Sequence, residues 1–211
     1  MIKVACFDLG GVLIKIAHHW EDAAEHAKVG IKRDLPAGQP LNIAPGFDEY
    51  QAGHISDAEY FANLARFLGV TEREAQSVHN HILLEPYEGV HEIVLALDKL
   101  GLETACLSNT NSPHWGYMSD SGRFPTHLAL GHRFASHELR LQKPDPDIFL
   151  AFESALGSRG SQIAFFDDSQ ANVDAAARLE WNAFKIDPAA PTAPQIISAF
   201  AGLGIQLHLS Q

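Results

Sequence analysis

Short apolar runs alternate with longer amphipathic stretches through the second half of the chain. Residues 3–7, 103–107, 163–166 and 183–186 read as strands, each bounded by Gly, polar or turn residues. Between and after them, 90–100, 145–156, 172–179 and 194–203 carry the apolar spacing of helices. Alternation of this kind predicts an α/β fold, a parallel sheet covered by helices on both faces. In such sheets ligands bind beyond the carboxyl ends of the strands. The segment 15–87 differs: helical patterns recur at 20–29, 57–68 and 71–84, a loop rich in Pro and Gly spans 35–46, and no convincing strand interrupts them. It is expected to fold as a helical unit over the exit of the first strand. Residues 1–14 and 88–211 then form the α/β core and 15–87 the insertion, with hinges near Lys15 and Tyr87. Ser56 with Glu59, and Thr71 with Glu74, have the spacing of capping boxes at two helix starts.

Composition narrows the class. With 211 residues, 46% of them hydrophobic, the chain can bury a substantial core. A formal net charge of −11 argues against nucleic acid, whose backbone is bound by clustered Lys and Arg. A small anion remains possible where positive charge is local. No run of about 18 apolar residues is present, so no membrane span is expected, and the first apolar run contains Asp8, which speaks against a signal peptide. Cys6 and Cys106 are too few for a disulfide framework and fit a reducing cytoplasm. They are expected to be inert core thiols, close together if their strands are neighbours. Oligomeric state is not readable.

Candidate chemistry sits where the strands end. The run Val4-Ala5-Cys6-Phe7 delivers Asp8 to the glycines Gly10 and Gly11. Three later pieces join it: Leu107-Ser108-Asn109-Thr110-Asn111, Lys143-Pro144-Asp145, and Phe165-Phe166-Asp167-Asp168-Ser169. Singly, each has a plainer reading as a turn, a polar loop or a solvated lysine, although adjacent carboxylates at a strand end repel unless a cation is near. Together they supply what phosphate-ester hydrolysis on a carboxylate requires. An Asp nucleophile divides one displacement into two through an aspartyl-phosphate. Asp8 and one of Asp167 and Asp168 can hold Mg²⁺, Lys143 supplies a cation, and Ser108 and the N–H groups around Asn109 can donate to the phosphate.

On these residues the chain resembles the haloacid dehalogenase (HAD) superfamily of hydrolases over nearly its whole length. It is most similar to the subfamily whose helical cap lies between the first and second motifs. The first motif, DxDG[TV], stands as Asp8-Leu9-Gly10-Gly11-Val12; the second is Ser108, the third Lys143, the fourth Asp167-Asp168. The resemblance implies a Rossmann-like core, Asp8 as nucleophile, and Mg²⁺ held by Asp8, the Gly10 carbonyl and Asp168. It implies further that Asp167 orients Lys143 or a metal-bound water, supported by Asn172. Gly10 departs from the pattern, because phosphatases of the family usually carry there the Asp that protonates the leaving oxygen. General acid–base help is typically worth about 10²–10⁴ in rate.

His18 and His19 are candidates to supply that proton, or they simply begin a helix with Trp20; His114 and Trp115 are candidate rim contacts of the same pocket. His79 and His81, two apart on a helix, do not share a face and make a poor metal pair. The expected activity is Mg²⁺-dependent hydrolysis of a small soluble phosphomonoester, with a sugar phosphate preferred. A catalytically impaired phosphate-binding or regulatory protein is the alternative, and 2-haloacid dehalogenation a weaker one, since paired carboxylates repel a carboxylate substrate. No GxGxxG, GxxxxGK[ST] or GxSxG motif supports a dinucleotide, P-loop or nucleophile-elbow site.

Overall fold

The computed structural model describes residues 1–33, 35 and 38–209. The chain runs β1 (Val4–Phe7), β2 (Ile14–Ile16), α1 (Trp20–Ala27), α2 (Phe47–Gln51), α3 (Asp57–Leu68), α4 (Glu72–Asn80) and β3 (Leu83–Pro86). It continues α5 (Val90–Lys99), β4 (Glu103–Ser108), α6 (Ser112–Asp120), α7 (Pro125–Ala129), β5 (His132–Ala135) and α8 (Ser136–Leu139). α9 (Pro146–Leu156), β6 (Ile163–Asp167), α10 (Gln170–Arg178), β7 (Asn182–Lys185) and α11 (Thr192–Gly202) complete it. Five strands form a parallel sheet in the order β5-β4-β1-β6-β7, a Rossmann-like α/β fold. The chain builds from β1 outward through β4 to β5, then returns to β6 on the other side of β1. This places the switch point, where a ligand crevice opens, at the carboxyl end of β1.

The strands are apolar almost throughout because both sheet faces are covered. Ala5, Phe7, Cys106, Ala164 and Phe166 point to one face, where they meet Ile93 and Leu97 of α5 and Phe200 of α11. Val4, Cys6, Ala105, Leu107, Ile163 and Phe165 point to the other, against Phe149 and Phe152 of α9 and Ala176 of α10. The same alternation separates the cysteines. β1 and β4 are neighbours, but Phe7 rather than Cys6 pairs with Cys106, so the two thiols lie on opposite faces. Burial pushes both above the ordinary thiol range, which leaves them inert as nucleophiles.

Helices α1 to α4 enclose a second apolar cluster that includes Trp20, Tyr60, Leu64, Leu68 and Val78. Tyr50 stacks on Tyr60 at 4.0 Å between ring centroids. Thr71 and Glu74 form the complete capping box, while Ser56 accepts from the Glu59 N–H at 3.2 Å. One expectation is corrected here: the segment 15–87 is not free of strands. The helix expected over 71–84 stops at Asn80, and β3 follows it to pair antiparallel with β2, Ile14 with Pro86 and Ile16 with Leu83. Strands of three and four residues are too short to show a period of two. The ladder zips the two chain crossings together, extended by Ala17 N–H to Ile82 O at 2.9 Å and Tyr87 N–H to Leu13 O at 3.0 Å. β5 was equally hidden: as an edge strand its sequence His-Arg-Phe-Ala is half polar. Among the described residues no helix is long and apolar enough to cross a membrane.

Candidate active site

Asp8 stands one residue beyond β1, and its N–H still donates to Phe166 O at 2.8 Å, in step with β6. Its Oδ1 accepts from the Leu9 N–H at 2.7 Å, which fixes the carboxylate at the turn. Leu9 O then accepts from the N–H groups of Leu13 at 2.9 Å and Ile14 at 2.8 Å. Gly11 has φ +70°, and a Cβ there would lie 2.6 Å from Asp168 Oδ2, so both conformation and space require glycine. Its absence of a side chain lets Asp168 approach the turn. Gly10 is less constrained. A Cβ there would lie 3.2 Å from Ile16 Cδ1, the end of a flexible side chain that would have to give by a few tenths of an ångström.

Lys143 joins the motifs. Its side chain is fully buried, with Nζ 2.6 Å from Asp167 Oδ2 and 3.1 Å from Asp8 Oδ1. Asn172, in the first turn of α10, donates its Nδ2 to Asp167 Oδ1 at 3.0 Å and Oδ2 at 3.1 Å. Asn109 holds the lysine from the other side: its Nδ2 donates to Lys143 O at 2.8 Å and its Oδ1 accepts from Lys143 N–H at 2.9 Å. The loop after β4 is therefore tied to the loop before α9 by the Asn109 side chain, while the sequence offered the backbone N–H groups around Asn109 to the phosphate. The Thr110 N–H is also engaged, donating to Ser136 Oγ at 2.9 Å. Ser136 in turn donates to Gln51 O at 2.6 Å, linking the loop to α2.

Carboxylate oxygens of Asp8, Asp167 and Asp168 lie within 4.8 Å of one another. Three carboxylates around one ammonium leave an excess of negative charge in a largely dry site. Burial raises the Asp8 and Asp168 carboxyls; Lys143 opposes the rise, and the neighbouring carboxylates add to it. Burial likewise disfavours the charged Lys143, but Asp167 and Asp8 outweigh it and hold the ammonium above its ordinary range. Lys185 adds a contact to Asp168 O through its Nζ. Such a cluster, with hard oxygen donors and no Cys or His among them, suits a divalent cation of the Mg²⁺ type.

A cavity of about 520 Å³ adjoins this cluster at Asp168 and is lined also by Gly10, Ser108 and Asn109; Asp8, Asp167 and Lys143 are not among its lining residues. Of the four aromatic candidates, His18 and His114 line it. His19 is instead tied by its Nδ1 to Gln39 O at 3.2 Å. Trp115 packs edge-on against His127 at 4.6 Å, on the apolar side of the core. His114 and Trp115 sit on α6, a helix that the polar run before it conceals; Asn111 caps it by accepting from the His114 N–H at 3.1 Å.

His79 was underrated as half of a poor metal pair. It falls beside Ala75 and Val78 on the buried face of α4, with Ile82 just beyond the helix, and that spacing was the available signal that it is buried. Its ring stacks on His114 at 4.1 Å and 9°. With both rings neutral and protonated at Nε2, every bond of the cluster has one donor and one acceptor. His79 Nε2–H donates to Asn111 Oδ1 at 3.2 Å and Tyr60 OH to His79 Nδ1 at 3.3 Å. His114 Nε2–H donates to His79 O at 2.8 Å, and Asn111 Nδ2 to His114 Nδ1 at 3.3 Å.

A second proton on His114 would meet a donor, and charge on both stacked rings would repel. Burial pushes His114 down from 6.5 to about 4 and also lowers His79, with the adjacent His114 as a further cause. At these two histidines the folded protein thus binds fewer protons than the unfolded chain between these values. Their contribution to stability is complete above about pH 6.5 and is lost as pH falls toward 4, opposite in sign to that of the raised Asp8 carboxyl. For His114 the loss amounts to roughly 3 kcal/mol, measured as the difference in unfolding free energy between pH 7 and pH 4 that the native protein shows and His114→Gln does not. His114→Gln is expected to remove that part of the slope; a profile overlaying the native one would refute the assignment.

Comparison with known proteins agrees with this geometry. A family model of haloacid dehalogenase-like hydrolases matches residues 2–180. A HAD family enzyme from Bacteroides thetaiotaomicron, solved in complex with magnesium and inorganic phosphate, is 25% identical with a TM-score of 0.73, covering 88% of this chain and 94% of that one. A predicted HAD-like family hydrolase from Porphyromonas gingivalis is 27% identical with a TM-score of 0.74, over 93% and 96%. The L-2-haloacid dehalogenase of Xanthobacter autotrophicus, with chloropropionic acid covalently bound, shares the fold at 17% identity and a TM-score of 0.61, over 96% and 83%. With the sheet order, the strand-end carboxylates and a family match over most of its length, the chain belongs to the haloacid dehalogenase-like hydrolases.

Proposed function

We propose that this hydrolase is a Mg²⁺-dependent phosphomonoesterase acting on a small soluble ester through an aspartyl-phosphate on Asp8. The observation that carries the reading is the packing of Asp8 and Asp167 against the buried Lys143 ammonium, with Asp168 beside them on the cavity wall. Asp8, the Gly10 carbonyl and Asp168 would hold the metal, with Asp167 kept beside Lys143 by Asn172. Bound there, Mg²⁺ would offset the charge of the phosphoryl oxygens and let carboxylate and phosphate approach. The Bacteroides relative, crystallised with magnesium and phosphate, supports the same use of the site.

Asp8 Oδ attacks phosphorus and the bond to the leaving oxygen breaks. Water then attacks the same phosphorus, the bond to Asp8 breaks, and inorganic phosphate leaves. Lys143, Ser108 and the Asn109 N–H are the donors for the transferred group. The helical unit 15–87 would act as a cap excluding water, moving on the two-stranded ladder where it joins the core 1–14 and 88–211. Dehalogenation is disfavoured by the same carboxylates, which would repel a haloacid. A second reading, a phosphate-binding protein with impaired turnover, is favoured by the absence of an acid at Gly10, where Ile16 is the side-chain neighbour. Phosphate release from a panel of esters decides between them. The phosphatase reading expects release that stops on chelation and returns with Mg²⁺; binding of Mg²⁺ and phosphate without release favours the second.

A further inference from the structure

Three consecutive residues after β4 are tied to three different parts of the molecule, and two of the ties end on helices α1 to α4. The Asn109 side chain clamps the Lys143 backbone through bonds of 2.8 and 2.9 Å. The Thr110 N–H donates to Ser136 Oγ at 2.9 Å, and the Ser136 hydroxyl donates to Gln51 O, the last residue of α2, at 2.6 Å. Asn111 reaches α4: its Oδ1 accepts from His79 Nε2–H at 3.2 Å while capping α6 through the His114 N–H at 3.1 Å. One turn into α6, His114 Nε2–H donates back to His79 O at 2.8 Å. Backbone packing reinforces the seat. Gly53, just beyond α2, has φ +69°, and a Cβ there would lie 2.3 Å from His137 O, so this turn rests directly on α8 beside Ser136.

These bonds are all satisfied in one position of the helices. Asn111, Ser136 and His79 are buried. Moving α4 away from α6 strips His79 Nε2–H of Asn111 and His114 Nε2–H of His79 O, and a buried donor left without an acceptor is costly. Besides the β2–β3 ladder, the helices are therefore held at two points, and both lead to the loop that carries Ser108 and Asn109. A displacement of α2 or α4 reaches that loop, and through the Asn109 clamp the Lys143 backbone, over contiguous hydrogen bonds.

We propose that Asn111 and Ser136 are positioning residues: they hold Ser108 and Asn109 in place for phosphate only while α2 and α4 are seated on the core, so that seating and phosphate binding favour each other. The proposal rests on the reading above, in which Ser108 and the Asn109 N–H are phosphate donors. Neither Asn111 nor Ser136 lines the cavity, so both act through the loop and not on the ligand. Coupling of this kind is reciprocal: whatever the seated helices add to phosphate affinity, bound phosphate adds to their seating.

The test uses inorganic phosphate as the probe. Amide hydrogen exchange is followed across the native protein with Mg²⁺ alone and with Mg²⁺ and phosphate. α4 contributes no residue to the cavity lining, so slower exchange there reports transmission and not contact. Adding phosphate is expected to slow exchange in α4 and in the turn after α2. Two variants cut the ties separately. Asn111→Ser keeps a good N-cap for α6 but is too short to reach His79; Ser136→Ala removes the acceptor of the Thr110 N–H and the donor to Gln51 O. Each is expected to raise the Kd for phosphate by about 5-fold or more and to abolish the slowing at the helix whose tie it cuts. Affinity for Mg²⁺ alone should not change, because Asp8, Gly10 and Asp168 lie outside the network. Slowing confined to the core of the native protein, or variants that bind phosphate as the native protein does, would overturn the proposal and leave the phosphate site standing. A matching fall in Mg²⁺ affinity would show a general structural role and overturn it as well. No phosphate binding by the native protein would overturn the underlying reading itself. If neither variant folds, the native exchange pattern decides alone.

Discussion

Asp8→Asn is expected to lose turnover by at least about 10³-fold, as removal of a covalent nucleophile generally does, while unfolding no more easily than the native protein. The two effects separate because the Asp8 carboxylate is held at a cost to the fold. Burial raises its pKa from 3.8 to about 7, against the pull of Lys143. A carboxyl raised in the folded state opposes folding as it ionises, so this cost grows from about pH 4 to about pH 7. It amounts to a few kcal/mol at most, by the usual conversion of about 1.4 kcal/mol per pKa unit. Asn is neutral, nearly the same size, and its Oδ1 can still accept from the Leu9 N–H, the bond that Asp8 makes at 2.7 Å. Rates of phosphate release and thermal melts in metal-free buffer check both halves. Retained turnover would remove Asp8 from the mechanism, and a lower melting temperature would contradict the electrostatic account.

Lys143→Met is expected to fail in both respects. The side chain is wholly buried, and so is its partner Asp167. Removing the ammonium leaves the carboxylates of the fully buried Asp167 and the partly buried Asp8 facing each other, with Asp168 nearby. Breaking a buried pair by deleting one partner typically costs about 3–5 kcal/mol. Chemical denaturation should show a loss of this size at neutral pH, smaller at low pH where the carboxyls protonate. Activity should vanish with the cation. A variant of native stability at pH 7 would mean that Asn172 and the backbone alone neutralise Asp167. The contrast with Asp8→Asn comes from sign alone: one substitution deletes excess negative charge, the other its counterion.

Much of the site was legible in the chain because strand ends announce themselves. Asp8, Ser108 and Asp167 each terminate an apolar run, and a polar residue at the end of a buried strand must emerge at the carboxyl edge of the sheet. Lys143 follows no strand and was read from its company in the motif; the fold brings its Nζ to 2.6 Å from Asp167. Asn109 carries a second role that its position did not announce. The sequence offered the backbone N–H groups around it as phosphate donors, and its side chain in addition clamps the Lys143 backbone. His79 was visible on an apolar stripe, but its partners Asn111 and His114 lie 32 and 35 residues away. Local spacing carries no information about such pairs.

By itself the sequence determined the α/β class, the helical character of the segment between the first two motifs and the residue types available for chemistry. These follow from local rules: periodicity of apolar positions, caps, and the end of an apolar run. Tertiary structure alone decided which of those residues meet. It set Cys6 and Cys106 on opposite sheet faces through a one-residue register, paired β2 with β3 across the inserted segment, and stacked His79 on His114. It also set Ile16 beside Gly10, with Cδ1 3.2 Å from where a Cβ would stand. Each of these depends on the distance between groups far apart in the chain, which is fixed when the hydrophobic faces are buried together and not before.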